Sequence, residues 1–421
     1  MDLRRRPTRP AGESPTTPTR AISRRTALAV VAGGTVGSLA GCLGFGESDA
    51  ADLSERWSSE QTTEYGQNHH DFIVTNSAET PRVVAPHSSH GGDDDCGIEA
   101  VDGSGEHAWR GTIDPDHCTP HAVGDIGTGT RDGTAAAFAG TEAGELLGFD
   151  LESGTELFRL DILDSLGYSA PIVGEFTGTG DELIVADFGG SVYVVDTEPA
   201  VSWSHELDSR VNTNPLVGES PAGEAALIIA HGRREESTVS ALGVDHERHW
   251  DYSLDGTPNS MIETSIDGQT KLCVGTTTGV SCLDASGDGQ WDESFEETTA
   301  VGGVTDGLVV VGTNDGTISA LDADDGTVEW TESIVSGDER RLSAPAIGDG
   351  FGDGTPTIAA AAYDGSVVVL DAEGTILGRH THTEALYVSP RFGDLTADGS
   401  DDLLVMDGHG RLVAYEIGDN R

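Results

Sequence analysis

Lysine is almost missing from this sequence, and the shortage of positive charge excludes one large class of partners. Lys271 is the only lysine, and 23 lysine and arginine residues stand against 73 aspartate and glutamate residues, for a formal net charge of −50. A surface this acidic repels the phosphates of DNA and RNA. We therefore expect no nucleic acid partner.

Aromatic residues are also scarce, at 5% of the chain, and acidic chains of this kind can be disordered. Here, however, short alternating runs of Val, Ile and Leu recur between turns that contain Gly and Asp. Alternation with a period of two is typical of β-strands, so we predict an all-β fold. The acid surplus then resembles the surface of a halophilic protein, where concentrated salt screens the repulsion between carboxylates.

The sequence lacks the common motifs of catalysis. It contains neither a Gly-x-Ser-x-Gly nucleophile motif nor a phosphate-binding loop. Lys271 falls in a predicted strand beside Cys273, where we do not expect a reactive amine. We assign no catalytic residues and expect a protein that binds rather than one that catalyses a reaction.

A repeating unit is the strongest signal in the sequence. A run of the form Gly, alternating apolar residues and Asp occurs eight times, as GIEAVDG, GELLGFD, GSVYVVD, TVSALGVD, GVSCLDA, GTISALDA, GSVVVLDA and GRLVAYE. A second run, often centred on Trp, follows most copies, and a strand-turn-strand pair precedes them. Four short strands per unit predict an eight-bladed β-propeller, with the strands of each blade named A to D from the inside outward.

The last unit ends without room for its fourth strand. Residues 53–58 match the Trp-containing run at 328–333, so we predict that this N-terminal strand completes the eighth blade. Closure of the ring leaves only short, protected strand edges. The predicted propeller spans residues 53–421, and we expect a monomer.

The repeats resemble those of two propeller families. The run Leu-Asp-Ala-x-x-Gly-Thr-x-x-Trp at 321–330 resembles the repeat of pyrroloquinoline quinone (PQQ)-type propellers, which include quinoprotein dehydrogenases and a lipid-anchored scaffold of outer-membrane protein assembly. The run at 393–403 resembles the FG-GAP repeat of integrin-type propellers. These resemblances imply the fold. Quinoprotein dehydrogenases carry adjacent cysteines against the cofactor, and because this chain has no such pair we do not expect PQQ.

The N-terminal segment has the features of an export signal. Arg24 and Arg25 precede an apolar stretch over 27–40 that is shorter than a typical membrane-spanning helix. The paired arginines resemble a twin-arginine signal, and Leu-Ala-Gly-Cys at 39–42 resembles a lipobox, as in a haloarchaeal lipoprotein. The resemblance implies lipidation of Cys42; a chance cysteine after an ordinary signal is the alternative. We expect a signal peptide over 1–41, a flexible tether over 42–52 and location on the outer face of the cytoplasmic membrane.

An Asp-rich turn in the last unit has the spacing of a calcium site. Oxygen-bearing side chains fall at the first, third, fifth and ninth positions of residues 394–402, with Gly at the sixth, and Ca²⁺ takes six to eight oxygen ligands. The glutamate that ends an EF-hand loop is missing, and an ordinary Asp/Gly turn in an acidic protein is the alternative. The predicted ligands of a structural ion are Asp394, Thr396, Asp398, Asp402 and the carbonyl of Ser400.

Four cysteines besides Cys42 permit three disulfide pairings, and disulfides persist outside the cytoplasm. Cys273 and Cys282 flank a predicted hairpin turn and can face each other across two strands. Cys96 and Cys118 are the remaining pair. Free buried thiols are the alternative.

Histidines concentrate on one face of the predicted propeller. Half of the 14 histidines fall between residues 69 and 121, mostly in predicted D–A connections and B–C turns, which share one face of the ring. Imidazole and carboxylate groups together can bind a transition metal such as Zn²⁺ or Cu²⁺, and exposed loop histidines are the alternative. The candidate ligands are His87, His90, His117 and His121, with His69 and His70 on the same face.

Together these features predict a membrane-anchored scaffold outside the cytoplasm. We expect it to present its D–A/B–C face to another protein or to an extracellular ligand, without catalysis. The alternative is a metal- or quinone-binding propeller, or a redox enzyme, that uses the His-rich face of its first two blades.

Overall fold

The strands of this protein form eight separate sheets of four strands each, and neighbouring strands pair antiparallel in every sheet. The computed structural model describes residues 53–418 except 62–67, 76–79, 89–95, 114–117, 120, 267 and 336–340. In this part of the chain a 3-10 helix occurs at Arg234–Glu236, and no helix is long and apolar enough to cross a membrane. The predicted all-β, eight-bladed propeller is confirmed.

In blades 1 to 4 the strands follow chain order from A to D. Blade 1 comprises β2 to β5, at Ile73–Thr75, Arg82–His87, Gly97–Asp102 and His107–Thr112. Blade 2 comprises β6 to β9, at Gly127–Arg131, Thr134–Gly140, Glu145–Asp150 and Glu156–Asp161. Blade 3 comprises β10 to β13, at Ile172–Gly174, Glu182–Ala186, Ser191–Val195 and Val201–Glu206. Blade 4 comprises β14 to β17, at Leu216–Glu219, Ala225–His231, Ser237–Gly243 and Arg248–Leu254.

Blades 5 to 7 repeat this order, and blade 8 takes its last strand from the N-terminal end of the propeller. Blade 5 comprises β18 to β21, at Pro258–Ile266, Gln269–Thr276, Gly279–Asp284 and Gly289–Ser294. Blade 6 comprises β22 to β25, at Thr299–Thr305, Leu308–Thr313, Thr317–Asp322 and Val328–Ser333. Blade 7 comprises β26 to β29, at Ala346–Gly348, Thr357–Ala361, Ser366–Leu370 and Ile376–Thr381. Blade 8 comprises β30, β31, β32 and β1, at Arg391–Gly393, Asp402–Met406, Leu412–Ile417 and Leu53–Ser58.

The N-terminal strand closes the ring, as predicted. β1 pairs antiparallel with β32, and Leu53 lies opposite Ile417. An apolar cluster then joins blade 8 to blade 1, with Phe72 packed together with Leu404 and Met406. Buried residues form eight such clusters in the described part of the chain, each between consecutive blades. The core therefore lies between the sheets, because strands B and C are buried on both faces.

Tryptophans on strand D connect five of the blades to the next one. Trp291 Nε1 of blade 5 donates a hydrogen bond to the carbonyl of Ala323 in blade 6 at 3.0 Å, and its ring covers Gly326, which has φ +75°. A Cβ at Gly326 would lie 2.6 Å from this ring. The Gly in the C–D turn of one blade thus packs against the Trp on strand D of the preceding blade. Equivalent hydrogen bonds start from Trp57, Trp109, Trp203 and Trp330.

Candidate functional site

The histidines of the D–A/B–C face occupy the connections that the predicted strand order assigns to them. These are D–A connections for His69, His70, His121 and His382, and the B–C side of a blade for His87, His231 and His409. His90 and His117 lie outside the described residues. The face is therefore rich in imidazole at the first two blades.

Three of these histidines converge. One ring nitrogen from each of His69, His70 and His121 lies within 4.8 Å of the other two. His121 Nδ1 is 3.0 Å from His69 Nε2, and the rings of His69 and His70 have centroids 4.6 Å apart. His69 is exposed and His121 half-buried, whereas His70 is only 4% exposed. The arrangement presents imidazole nitrogens from two neighbouring D–A connections to one point.

A carboxylate orients the buried member of this cluster. Asp125 Oδ1 lies 3.1 Å from His70 Nδ1 and accepts the backbone N–H of Asp71 at 2.9 Å. The ring of Tyr168 lies 4.9 Å from that of His70, and the carbonyl of Tyr168 accepts the backbone N–H of Asp125 at 3.0 Å. A histidine held by a carboxylate in this way has a fixed ring orientation and tautomer.

His87, a predicted metal ligand, belongs to a different contact. Its Nδ1 lies 3.3 Å from Glu99 Oε2, which also accepts a hydrogen bond from Arg110 at 2.7 Å. Burial opposes ionisation of Glu99, but the hydrogen bonds from His87 and Arg110 outweigh it and lower the pKa of this carboxyl. In the described part of the chain, the structure groups His121 with His69 and His70 and leaves His87 outside the group. The signal in the sequence was the position of both His70 and His121 shortly before strand A of adjacent blades.

A polar opening of about 430 Å³ lies at the centre of the same face. Residues from every blade except blade 3 line it, and asparagines are prominent among them: Asn212, Asn214, Asn259 and Asn314. Asn259 Oδ1 is buried and has no hydrogen-bond partner in the described part of the chain. The opening therefore offers amide groups that a ligand can satisfy.

A charged pair stands beside this opening. Arg391 of blade 8 lies 2.8 Å from Asp71 of blade 1. Burial raises the pKa of Asp71, and the nearby charge of Asp125 adds to this effect, whereas Arg391 opposes it. The pair links the opening to the histidine cluster, because Asp125 contacts both Asp71 and His70.

The predicted calcium ligands lie together in the A–B turn of blade 8, on the other face. Both carboxylate oxygens of Asp394 accept backbone N–H groups, from Asp398 at 3.1 Å and Gly399 at 3.0 Å. Asp398 Oδ1 accepts hydrogen bonds from the backbone and hydroxyl of Ser400 at 3.0 and 2.6 Å. Asp402 Oδ1 instead forms an ion pair with Arg56 at 3.0 Å. Backbone hydrogen bonds order the turn, and an arginine engages one predicted ligand.

Both predicted disulfides are present. Cys96 and Cys118 are bonded with Cα atoms 5.4 Å apart, and Cys273 and Cys282 with Cα atoms 4.2 Å apart. The second bond joins directly opposite residues of β19 and β20. The predicted lipidation residue Cys42 and the predicted export residues Arg24 and Arg25 lie outside the described residues.

Comparison with known proteins agrees with this architecture. Residues 235–421 match a PQQ-type family model described as outer membrane protein assembly factor BamB. The crystal structure of BamB from Moraxella catarrhalis is similar, with a TM-score of 0.60 and 19% identity over 88% of this chain and 99% of that chain.

A computationally designed protein, Ika8, is also similar, with a TM-score of 0.59 and 16% identity over 85% of this chain and 100% of that chain. No curated protein matches the sequence. At these identities the structural similarity shows the fold alone, whereas the family match covers the C-terminal half of the ring. The protein is thus an eight-bladed β-propeller, and its residues 235–421 are similar to the PQQ-type family.

Proposed function

We propose that this propeller is a non-catalytic scaffold that binds another protein or an extracellular ligand through its D–A/B–C face. The polar opening at the centre of that face carries the proposal. Its asparagines both donate and accept hydrogen bonds, and the buried Asn259 Oδ1 has no partner among the described residues. Such groups suit the backbone of an extended peptide segment, which also offers donors and acceptors. The match to an assembly factor supports a role in binding.

We further propose that the scaffold works outside the cytoplasm on a lipid anchor. Two disulfides support this location, because such bonds persist mainly in oxidising compartments. The export signal is the segment that contains the paired Arg24 and Arg25. The lipid anchor is attached to Cys42, at the end of the lipobox-like run. The strongly acidic composition suits a halophilic exterior, where salt screens the charge.

Site-specific photo-crosslinking tests which face binds. A photoreactive residue at Asn212 or Asn314 would sample the central opening. Ser104 and Asp325, in C–D turns on the other face, provide controls. In membranes of expressing cells we expect adducts of defined mass from the two asparagine positions and none from the controls. Equal labelling from both faces, or none from either, contradicts the proposal.

A further inference from the structure

The cluster of His69, His70 and His121 has the geometry of a metal site. We propose that these three residues bind a divalent transition metal ion of the Zn²⁺ or Cu²⁺ class. Zn–N bonds of about 2.0–2.1 Å in a tetrahedral site place ligand nitrogens about 3.4 Å apart. The separation of His69 Nε2 and His121 Nδ1 is 3.0 Å, and one ring nitrogen from each of the three histidines lies within 4.8 Å of one from each of the other two. Small side-chain rotations therefore bring all three to an ion.

The contact of His70 Nδ1 with Asp125 leaves the second ring nitrogen of His70 available for this ion. His70 Nδ1 lies 3.1 Å from the carboxylate of Asp125 and donates its proton there. The neutral ring then has its lone pair on Nε2, and this atom is buried without a hydrogen-bond partner in the described part of the chain. A buried polar atom without a hydrogen-bond partner costs folding free energy. A bound cation satisfies this atom, and a carboxylate behind a histidine ligand is the common second contact in metal sites.

Two of the three ligands are held before the ion binds. His70 is buried against Tyr168. His121 follows the Cys96–Cys118 disulfide by three residues, and its backbone N–H donates to Thr119 Oγ1 at 3.1 Å. His69 is exposed and supplies the adjustable ligand. Three protein ligands leave a fourth position for water or for a group from a partner.

Two other histidines of the face, His231 and His382, contact hydroxyl or carboxylate groups through their ring nitrogens. His231 lies between the hydroxyls of Ser209 and Ser240, at 2.7 and 2.8 Å, and His382 lies 3.4 Å from Asp407. The acidic surface attracts cations in general, but carboxylates favour Mg²⁺ and Ca²⁺, whereas imidazole suits Zn²⁺ and Cu²⁺. The proposed site should therefore discriminate between these classes of ion. The proposal of this metal site does not depend on the proposed function as a binding scaffold.

Equilibrium dialysis of the full-length protein against Zn²⁺, with excess Mg²⁺ to occupy surface carboxylates, tests the site. We expect one tight equivalent of Zn²⁺ in the wild type and its loss in the His69→Ala and His121→Ala variants. Asp125→Asn should weaken binding about 10- to 100-fold, because it removes the group that orients His70. His107→Ala, which removes an exposed histidine of β5, is the matched control and should retain the tight equivalent.

Because His69 is exposed, its replacement should leave the fold intact, and circular dichroism of each variant checks this. The proposal fails if the wild type binds no tight equivalent. It also fails if a folded His69→Ala or His121→Ala variant retains one with unchanged affinity.

Discussion

Arg56 Nε lies 3.0 Å from Asp402 Oδ1, and through this contact the closing strand β1 meets the Asp-rich turn of blade 8. The second oxygen, Asp402 Oδ2, is buried without a hydrogen-bond partner among the described residues. Asp398 in the same turn is exposed, and hydrogen bonds from Ser400 lower its pKa to about 2. The turn therefore contains the strongly acidic carboxylate of Asp398 and the buried carboxylate of Asp402. A Ca²⁺ ion in the turn would compete with Arg56 for Asp402.

This arrangement predicts a calcium response that depends on Asp398. Ca²⁺ at millimolar concentration should raise the melting temperature of the wild type, because a ligand that binds only the folded state stabilises it, and Asp398→Asn should abolish the rise. Asp353 occupies the equivalent place in the blade 7 turn, where Thr357 stands at the position of Asp402. Asp353→Asn is therefore the control and should leave the response intact. Calorimetry that shows no calcium response in the wild type, or equal losses in both variants, contradicts the calcium site.

Asp402 should also make stability depend on pH. Burial raises its pKa from 3.8 to about 6, although Arg56 opposes this effect. The folded state thus holds this proton more tightly than the unfolded state, so ionisation of Asp402 weakens folding as pH rises from about 4 to about 6. Without calcium, Asp402→Asn should stabilise the protein by on the order of 2 kcal/mol at pH 7 and by much less at pH 4. Denaturant unfolding at the two pH values measures this, and a difference between variant and wild type that does not change with pH would refute it.

The sequence predicts the blades well because each blade repeats one local pattern. The likeness of Leu53–Ser58 to the run at 328–333 predicts that this strand belongs to blade 8, and its pairing with β32 confirms the prediction. Contacts between connections are harder to predict, because their partners are distant in sequence. His121 meets His69 from 52 residues away, and no local pattern indicates that His87 pairs with Glu99 inside its own blade. The sequence therefore identified the face but not the grouping of its histidines.

Gly326 and Gly307 separate the effect of backbone strain from that of the tryptophan contact. Both have positive φ, +75° and +78°, but a Cβ at Gly326 would lie 2.6 Å from the Trp291 ring, whereas none of the described atoms lies within 4 Å of a Cβ at Gly307. Gly307→Ala should lower the free energy of unfolding by about 1 kcal/mol from strain alone. Gly326→Ala should cost about 1–3 kcal/mol more, because the ring must move. Equal losses in urea unfolding would show that the Trp291 ring adjusts freely.

Cys42→Ala tests the proposed anchor without touching the propeller. Loss of the lipid removes the apolar chains that hold a lipoprotein to a membrane, so the variant should move from the membrane fraction to the soluble fraction after export. The control is Cys273→Ala with Cys282→Ala, which removes one disulfide but keeps the lipobox-like run and should stay with the membrane. Continued membrane retention of the Cys42 variant would count against lipidation.

Trp57 should control the stability of ring closure. Its Nε1 donates to the carbonyl of Gly103 in blade 1 at 2.9 Å, and its strand joins blade 8 without a hairpin to β32. Trp57→Ala should lower the free energy of unfolding by about 3 kcal/mol, whereas Trp57→Phe should lose about 1 kcal/mol with the hydrogen bond.

The comparison with Trp330→Ala makes this test specific for closure. Trp330 makes the equivalent hydrogen bond to Ala372, but its strand is connected to blade 6 by a C–D turn. Release of β1 exposes the edge of β32, so hydrogen exchange at Leu412–Ile417 should accelerate in Trp57→Ala well before global unfolding. The exchange of β24, the neighbour of the Trp330 strand, should accelerate much less in Trp330→Ala, because its hairpin re-forms locally. If β32 in Trp57→Ala and β24 in Trp330→Ala exchange at similar rates, the pairing of β1 with β32 is as stable locally as a strand pair joined by a hairpin.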